Sequence, residues 1–402
     1  MIVVGGGPAG MMAALTAAEM GHAVTLLEKN EAAGKKLLIT GKGRCNVTTA
    51  CEKERFFEQI PRNAKFLYTA FSGFDNRDTM AFFEALGVPL KIERGERVFP
   101  ESDRAVDIRD ALVDRCRALG VHFVRNRAVR ILTEDRAVSA LETERGRLHC
   151  DAILLATGGL SYPATGSTGD GYRMASEVGH TIVEPRPSLV PVVTKEAWPS
   201  RVMGLTLKNV GLALTEQNKQ RPIWKGQGEL LFTHFGLSGP LVLSASAHIR
   251  EGGAYRFVID CKPALDFQQL DARILRDFSE QPNKTFAHAL DKLLPKALIP
   301  IVIELSAISP ALRIHSVTKE QRRALAETIK GIPLTVERLR PIEEAIVTAG
   351  GVSVKEVDPR TMESKIVKGL YFAGEILDHD ALTGGYNLQI AFSTGHQAGT
   401  SF

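Results

Sequence analysis

The chain opens on Gly5-Gly6-Gly7-Pro8-Ala9-Gly10, a G-x-G-x-x-G spacing set directly after the apolar run 2–4. Each glycine of that spacing has its own physical task. Gly5 permits a tight turn, Gly7 lets the backbone approach a pyrophosphate, and Gly10 lets the following helix pack close to the strand. Pro8 and Ala9 begin that helix, whose N-terminal N–H groups attract phosphate. Eighteen positions after Gly10 stands Glu28, at the end of a second apolar run and ahead of Lys29. An acid there binds a ribose hydroxyl. A glycine turn can serve packing alone, but strand, turn, helix, strand and acid fall in register here. A bound dinucleotide is expected.

Three later segments narrow the dinucleotide to FAD. Residues 151–159, ending in Ala156-Thr157-Gly158-Gly159, resemble the second-strand A-T-G segment of flavoproteins with two dinucleotide domains. Residues 369–375, ending in Gly374-Glu375, resemble their C-terminal motif, in which an acid contacts the ribityl or pyrophosphate region. Gly384-Gly385-Tyr386-Asn387-Leu388 then precedes a helix whose N-terminus would face the flavin pyrimidine edge and favour an anionic reduced flavin. Between residues 34 and 46, Gly41 and Gly43 allow close backbone approach, while Lys36, Lys42 and Arg44 could meet phosphates or a flavin carbonyl. Cys45 and Asn46 interrupt that stretch with small polar groups, against its being a plain solvated loop. Val129 and Asp170 complete the expected cofactor contacts.

Gly-Lys-Gly-Arg-Cys-Asn (41–46), Arg-Val-Phe-Pro-Glu-Ser (97–102) and Tyr-Pro-Ala-Thr-Gly-Ser-Thr-Gly-Asp-Gly-Tyr (162–172) are more specific, as are Phe-Thr-His-Phe-Gly-Leu-Ser-Gly-Pro (232–240) and Ala-Gly-Glu-Ile-Leu-Asp (373–378). Together they resemble the bacterial aminoacetone oxidase family of FAD-binding enzymes over essentially the whole chain. The resemblance implies an α/β fold: a glutathione-reductase-like Rossmann FAD domain, interrupted by a β-barrel-like insert that itself carries a helical subdomain. Members include a bile-acid enone reductase type and a ribosomal RNA dihydrouridine synthase type, so the cofactor is implied and the substrate is not. The one departure is the missing lead-in before Met1. Residues 168–175 also resemble the T-G-D-G-x-x-M-A segment of fumarate-reductase-like flavoproteins, without the histidine and arginine motifs that bind their substrate carboxylate.

Both types share one chemistry, hydride addition to a C=C bond conjugated with a carbonyl and protonation of the neighbouring carbon. That needs a hydrogen-bond donor near the carbonyl and a proton source near the double bond. Cys45, Asn46, His234, Ser238 and Tyr386 are candidates within reach of a flavin. His234, Cys45 and Tyr386 lead, His234 because an ordinary histidine pKa of about 6.5 suits proton transfer near neutrality. A structural histidine and a buried flavin-contacting thiol are the bland alternatives. Uridine in 23S rRNA stands first among expected substrates, with a small-molecule enone or an amine for oxidation as alternatives. NAD(P)H is the expected donor, a transient visitor because no second G-x-G-x-x-G exists.

Two other classes compete. Cys45 and Cys51 fall where glutathione-reductase-like enzymes carry a redox pair, but five residues intervene instead of four. An RNA-binding role would use Arg201, Lys208, Lys219, Arg221, Lys225, Lys292, Lys296, Arg313, Lys319, Arg322 and Arg323, although acids are interleaved among them.

A length of 402 residues, 44% of them hydrophobic, is ample for two or three domains. The net charge of +4 is compatible with a phosphate-bearing partner without requiring one. Five scattered cysteines without a C-x-x-C pair argue against a metal or a disulfide framework. No apolar run is long enough to span a membrane, and the first strand starts at once, so a cytoplasmic monomer or weak homo-oligomer is expected. Strand and helix patterns divide the chain into an FAD domain (1–187 and 341–402), a β-rich insert (188–262 and 331–340) and a helical subdomain (263–330). Asp103 is the expected N-cap of a helix over 104–119.

Overall fold

The computed structural model describes residues 1–217, 219 and 221–402. Two compact units result, one of Met1–Ser188 with Ile342–Phe402 and one of Leu189–Pro341.

The first unit starts with Ile2–Val4 (β1), Pro8–Glu19 (α1) and Thr25–Glu28 (β2), and continues through Ala105–Ala118 (α2), His122–Arg125 (β3), Ile153–Leu155 (β4) and Asp170–Glu177 (α3). The second unit supplies strands Val192–Thr194 (β5), Thr206–Glu216 (β6), Trp224–Phe232 (β7), Gly236–Ser238 (β8) and Tyr255–Asp260 (β9). Helices Phe267–Ser279 (α4), Ile299–Ser306 (α5) and Lys319–Lys330 (α6) follow, then strand Ile332–Leu339 (β10). The chain re-enters the first unit with Leu370–Phe372 (β11) and Tyr386–Gly399 (α7).

The main sheet of the first unit has the order β11-β4-β1-β2-β3, all pairs parallel. Every residue of β1, β4 and β11 is buried, as strands covered on both faces must be. Helix α1 is rich in alanine, and α7 sets glycines against it, because the two cross at backbone distance. A Cβ on Gly395 would sit 2.4 Å from the Ala9 carbonyl oxygen, and one on Gly399 2.7 Å from that of Ala13. A three-stranded antiparallel meander is formed by Ala128–Glu134, Ala137–Thr143 and Gly146–His149.

In the second unit the strands close into a barrel in the order β5-β8-β7-β6-β9-β10. The three helices share one core with it, in which Phe257, Leu270, Phe286 and Leu325 are fully buried. Capping boxes on Asp266 and Thr318 fix where α4 and α6 begin.

Two local expectations are corrected. Arg104, not Asp103, is the N-cap of α2, and it makes no side-chain cap. Asp103 has left-handed backbone (φ 56°) and spends its carboxylate on Arg44 and Lys91. Residues 344–348 read as a strand from their sequence, but the strand begins only at Val347, because 342–344 form a 3-10 turn.

Three histidines of the first unit, His180, His379 and His396, have pKa values lowered by burial, although neighbouring carboxylates pull the other way. The unfolded chain therefore binds more protons than the native one below a pH of about 6.5, and stability is complete above that value and lost as pH falls beneath it. The chemical-denaturation midpoint should drop between about pH 7 and 5.5, above the range in which carboxylates titrate. A flat midpoint over that window would contradict neutral burial of these rings.

Candidate flavin site

The G-x-G-x-x-G turn is held by backbone packing. Gly5 has φ 107°, and a Cβ there would lie 2.5 Å from the Ala156 carbonyl oxygen. A Cβ on Gly10 would lie 2.0 Å from the Gly5 carbonyl oxygen, whereas one on Gly7 meets nothing within 4 Å. Gly5 and Gly10 thus serve close packing, and Gly7 opens free space at the helix start. Helix α1 begins there with no side-chain cap and no acid in its first turn, leaving its N–H groups for an anion. Glu28 is fixed at the same turn. Its Oε2 accepts from the Gly6 N–H at 2.9 Å, and its Oε1 accepts from the backbone and side chain of Asn30, both at 2.8 Å.

Lys29 and Arg127 converge on Asp170, each at 2.8 Å. Desolvation would raise the Asp170 pKa, but hydrogen bonds from Arg127 and Lys29 hold it well below the ordinary carboxylate range. An open cavity of about 690 Å³ adjoins them, lined by Lys29, Asn30, Arg125, Arg127 and Thr168 among others. Val129 lies nearby, its carbonyl accepting from Arg173 at 2.7 Å.

The second and third motifs meet the first. A Cβ on Gly374 (φ 75°) would be 2.7 Å from the Ala9 Cβ, and one on Gly159 2.3 Å from Thr348 Oγ1. Gly158 is left-handed at φ 74°. Lys36 reaches across to Glu375 and to Ser161, both at 2.7 Å, while Glu375 also accepts from Ser161 Oγ (2.9 Å) and the Thr348 N–H (2.8 Å). Desolvation works against the Glu375 charge, yet the Lys36 ammonium lowers its pKa overall. Lys36 therefore has a partner that phosphate would have to share.

Within residues 41–46 the backbone is left-handed at Gly41 (φ 56°), Lys42 (60°), Gly43 (85°) and Cys45 (59°), with Arg44 right-handed at −94° between them. Arg44 does not stand free. Its guanidinium stacks 4.2 Å from the Phe99 ring and binds Glu93 and, at 2.6 Å, Asp103. A phosphate contact by Arg44 would have to break that pairing. The buried Oδ1 of Asn46 and Oγ1 of Thr157 have no hydrogen-bond partner. Buried orphans of this kind call for a ligand or water.

Helix α7 is preceded by Gly384 (φ 138°) and its N-cap Gly385 (φ 97°), the latter with its Cα against the Thr48 backbone, where a Cβ would be 2.3 Å from the carbonyl oxygen. No side chain caps it, and Leu388 in its first turn is half-buried. Asn387 clamps the preceding loop through Ala381, accepting from its N–H at 3.0 Å and donating to its carbonyl at 2.8 Å.

The catalytic candidates fare unequally. The Cys45 thiol is fully buried, bonded to Thr40, and pushed by desolvation to a pKa of about 12. Tyr386 packs into an aromatic cluster with its ring 5.5 Å from that of Phe56, beside Cys51 and Thr49, and burial lifts its hydroxyl to about 12. His234 is exposed in the bend between β7 and β8, edge-on to Phe235, in the second unit; Ser238 ends β8. Cys45 and Cys51 are both free thiols and belong to different hydrophobic clusters. Sequence reasoning missed Ser161, Thr348, Arg62 and His379. The last follows the Ala-Gly-Glu-Ile-Leu-Asp motif by one position, between Asp378 and Asp380, a place from which it could have been singled out.

The orphaned Asn46 and Thr157 atoms, the open space at Gly7 and the uncapped N-termini of α1 and α7 fit an FAD. Residues 1–401 match the family described as HI0933-like protein Rossmann domain. The chain belongs to this family. Within it, the chain is 33% identical over 405 residues to the 3-dehydro-bile acid delta(4,6)-reductase of Clostridium scindens, spanning 99% of this chain and 97% of that protein. It is 30% identical over 394 residues to the ribosomal RNA dihydrouridine synthase of Escherichia coli, spanning 98% and 95%. Among solved structures, a 3-ketosteroid-delta4-(5alpha)-dehydrogenase from Rhodococcus jostii RHA1 shares the fold with TM-score 0.50 at 14% identity, spanning 100% of this chain and 95% of that one. A quinol-fumarate reductase shares it with TM-score 0.53 at 17% identity, spanning 100% and 70%. Members of this family have an FAD-binding Rossmann domain, and this chain is an FAD-dependent oxidoreductase. No described helix is long and apolar enough to cross a membrane.

Proposed function

We propose that the protein is an NAD(P)H-driven reductase of a C=C bond conjugated to a carbonyl, with a small-molecule enone as substrate. The observation that carries the reaction class is the agreement of two relatives matched along nearly their whole length. One is named for reducing double bonds of a 3-oxo steroid acid and the other for making dihydrouridine, and both products follow from saturating such a bond. When bound, FAD would supply the hydride, and this chain's residues would do the rest. Gly7, Ala9 and Gly10 would receive the pyrophosphate, with Glu28 at the ribose and Asn46 and Thr157 offering their unpartnered oxygens. The N–H groups of Asn387 and Leu388 would favour negative charge at the flavin pyrimidine edge. Cys45 and Tyr386 hold their protons at neutral pH, so either would act only as a proton donor.

Charge pairing supports a small substrate over RNA. Of the basic residues that could track phosphates, Arg201, Lys219, Lys292, Arg322 and Arg323 are each ion-paired with an acid of the same unit. Uridine in rRNA is the second reading, favoured by one observation: residues 189–341 hold 21 Lys and Arg against 14 Asp and Glu, in a chain whose net charge is only +4.

Purified holoenzyme should oxidise NAD(P)H when given a 3-oxo-4-ene steroid and yield the saturated ketone. Failure with every enone tested would sink the reaction class. Deletion of the gene should leave dihydrouridine in 23S rRNA in place; its disappearance would instead promote the second reading. The Cys45→Ala/Cys51→Ala double variant, provided that it keeps its FAD, should still turn over, since neither thiol is drawn into a disulfide. Loss of all NAD(P)H oxidation in the FAD-loaded double variant, reproduced by Cys51→Ala alone, would revive dithiol chemistry.

A further inference from the structure

Residues 162–169 form a segment pinned at both ends. Ahead of it the Ser161 N–H donates to Thr348 Oγ1 at 3.0 Å, and Ser161 Oγ donates to Glu375 at 2.9 Å. Behind it Asp170, the first residue of α3, is held by Lys29 and Arg127. Just inside each anchor stands a left-handed residue, Tyr162 (φ 53°) and Gly169 (φ 80°), and Gly166 (φ 110°) is a third. The regular structure between them is one 3-10 turn, Pro163–Thr165, whose first two residues are exposed.

The segment crosses the dinucleotide turn. In the main sheet β4 and β2 flank β1 on either side. After β4 comes Gly158, where a Cβ would lie 3.0 Å from Ser167 Oγ. After β2 comes Asn30, whose Nδ2 donates to the Thr165 carbonyl at 3.0 Å and would lie 2.5 Å from a Cβ on Gly166. The segment thus joins the ends of the two strands beside β1, and the Gly5–Gly10 turn follows β1 between them. Ligands of such sheets bind in the crevice at these strand ends. Pro163, Ala164, Gly166 and Thr168 also line the 690 Å³ cavity together with Lys29 and Asn30.

One side chain links the segment to the acid expected at the ribose. An amide nitrogen has two hydrogens to give, and that of Asn30 serves both Glu28 Oε1, at 2.8 Å, and the Thr165 carbonyl. The Glu28 carboxylate does not depend on this side chain, because the backbone N–H groups of Gly6 and Asn30 hold it at 2.9 and 2.8 Å. Lys29 adds a second tie, donating to Thr168 Oγ1 from an ammonium that Asp170 already fixes.

Resting on the reading that places the FAD ribose at Glu28, we infer that residues 162–169 are a strap over the adenosine end of the cofactor, latched by Asn30. FAD enters and leaves as the strap lifts about its left-handed ends. Asn30 and Lys29 hold it shut across Gly158 and the end of β2. Both ties join protein groups to one another and neither touches the cofactor, so they slow entry and release alike. The strap therefore sets the rate of cofactor exchange more than its equilibrium.

Flavin fluorescence follows the association of FAD with full-length apoprotein and its release when holoenzyme is diluted. Asn30→Ala deletes the latch, and Thr168→Val deletes the Lys29 tie without touching Glu28. Each should raise the association and dissociation rates together by about 5- to 10-fold, the effect of one lost hydrogen bond, with Kd moving far less than either rate. Hydrogen exchange of the 164–168 amides in the holoenzyme should quicken in step. A dissociation rate that rises alone would make these residues plain cofactor contacts, and unchanged rates in both variants would mean a segment that never gates. Either result overturns the strap, as does loss of all FAD from Asn30→Ala with wild-type rates in Thr168→Val. Glu28→Gln tests the underlying placing separately and should raise the Kd for FAD. A wild-type Kd there, with faster exchange in the strap variants, would move the ribose elsewhere and leave the gate standing.

Discussion

Gly10→Ala should abolish FAD retention and destabilise the first unit by about 3 kcal/mol or more, as overpacking against an unyielding neighbour does. The new Cβ would lie 2.0 Å from the Gly5 carbonyl oxygen and 3.2 Å from its carbonyl carbon, backbone atoms with no rotamer to change. Only a shift of α1 off β1 relieves the clash, and that shift takes the phosphate-facing N–H groups with it. Gly7→Ala separates the two effects. Its Cβ meets nothing within 4 Å and its φ of −80° suits any residue, so the variant should fold with wild-type stability. It should nevertheless bind FAD more weakly, because the methyl occupies the space kept for the pyrophosphate. Apoprotein titrated with FAD, alongside denaturant melts, reads both quantities. Wild-type FAD affinity in Gly7→Ala would place the pyrophosphate elsewhere.

Lys36→Met should cost about 3 kcal/mol at neutral pH, because it leaves the Glu375 charge sheltered without its cation. Only Ser161 Oγ and the Thr348 N–H would still serve that carboxylate. The sign of the pH dependence follows from the lowered Glu375 pKa in the wild type. The stabilisation it brings is present above the unfolded value of about 4.3 and is lost as pH falls through the folded one. In Lys36→Met that benefit is removed, so the gap between variant and wild type should narrow as the solution is acidified. Lys36→Met/Glu375→Gln should recover part of the loss, giving a clear coupling energy in a double-mutant cycle. Additive, sub-kcal effects would show that the pair is a surface contact of little consequence.

The main sheet and its cofactor turn were legible because each rests on local signals. Apolar runs, glycine spacing and the acid Glu28 are all set by backbone sterics within the first thirty residues. The family resemblance carried the barrel and the order of parts, since short alternating strands such as β5 and β8 leave little periodicity to read. What escaped was pairing at a distance. Arg44 reads as a phosphate ligand until folding brings Glu93 and Asp103 to it, and Asp103 reads as a helix cap until its carboxylate is found on Arg44 and Lys91. Lys36 meets Glu375 across most of the chain, and Arg62 meets Asp380 likewise. No spacing rule announces such pairs.

The central claim is tested most directly by following the flavin itself. Holoenzyme reduced by NAD(P)H without oxygen is mixed with a 3-oxo-4-ene steroid, and the flavin's visible band and the steroid products are monitored together. Return of the oxidised band, with one saturated ketone formed per flavin reoxidised, is the expected result. A flavin that stays reduced in the presence of enones of every size, yet is reoxidised at once by oxygen, would contradict it.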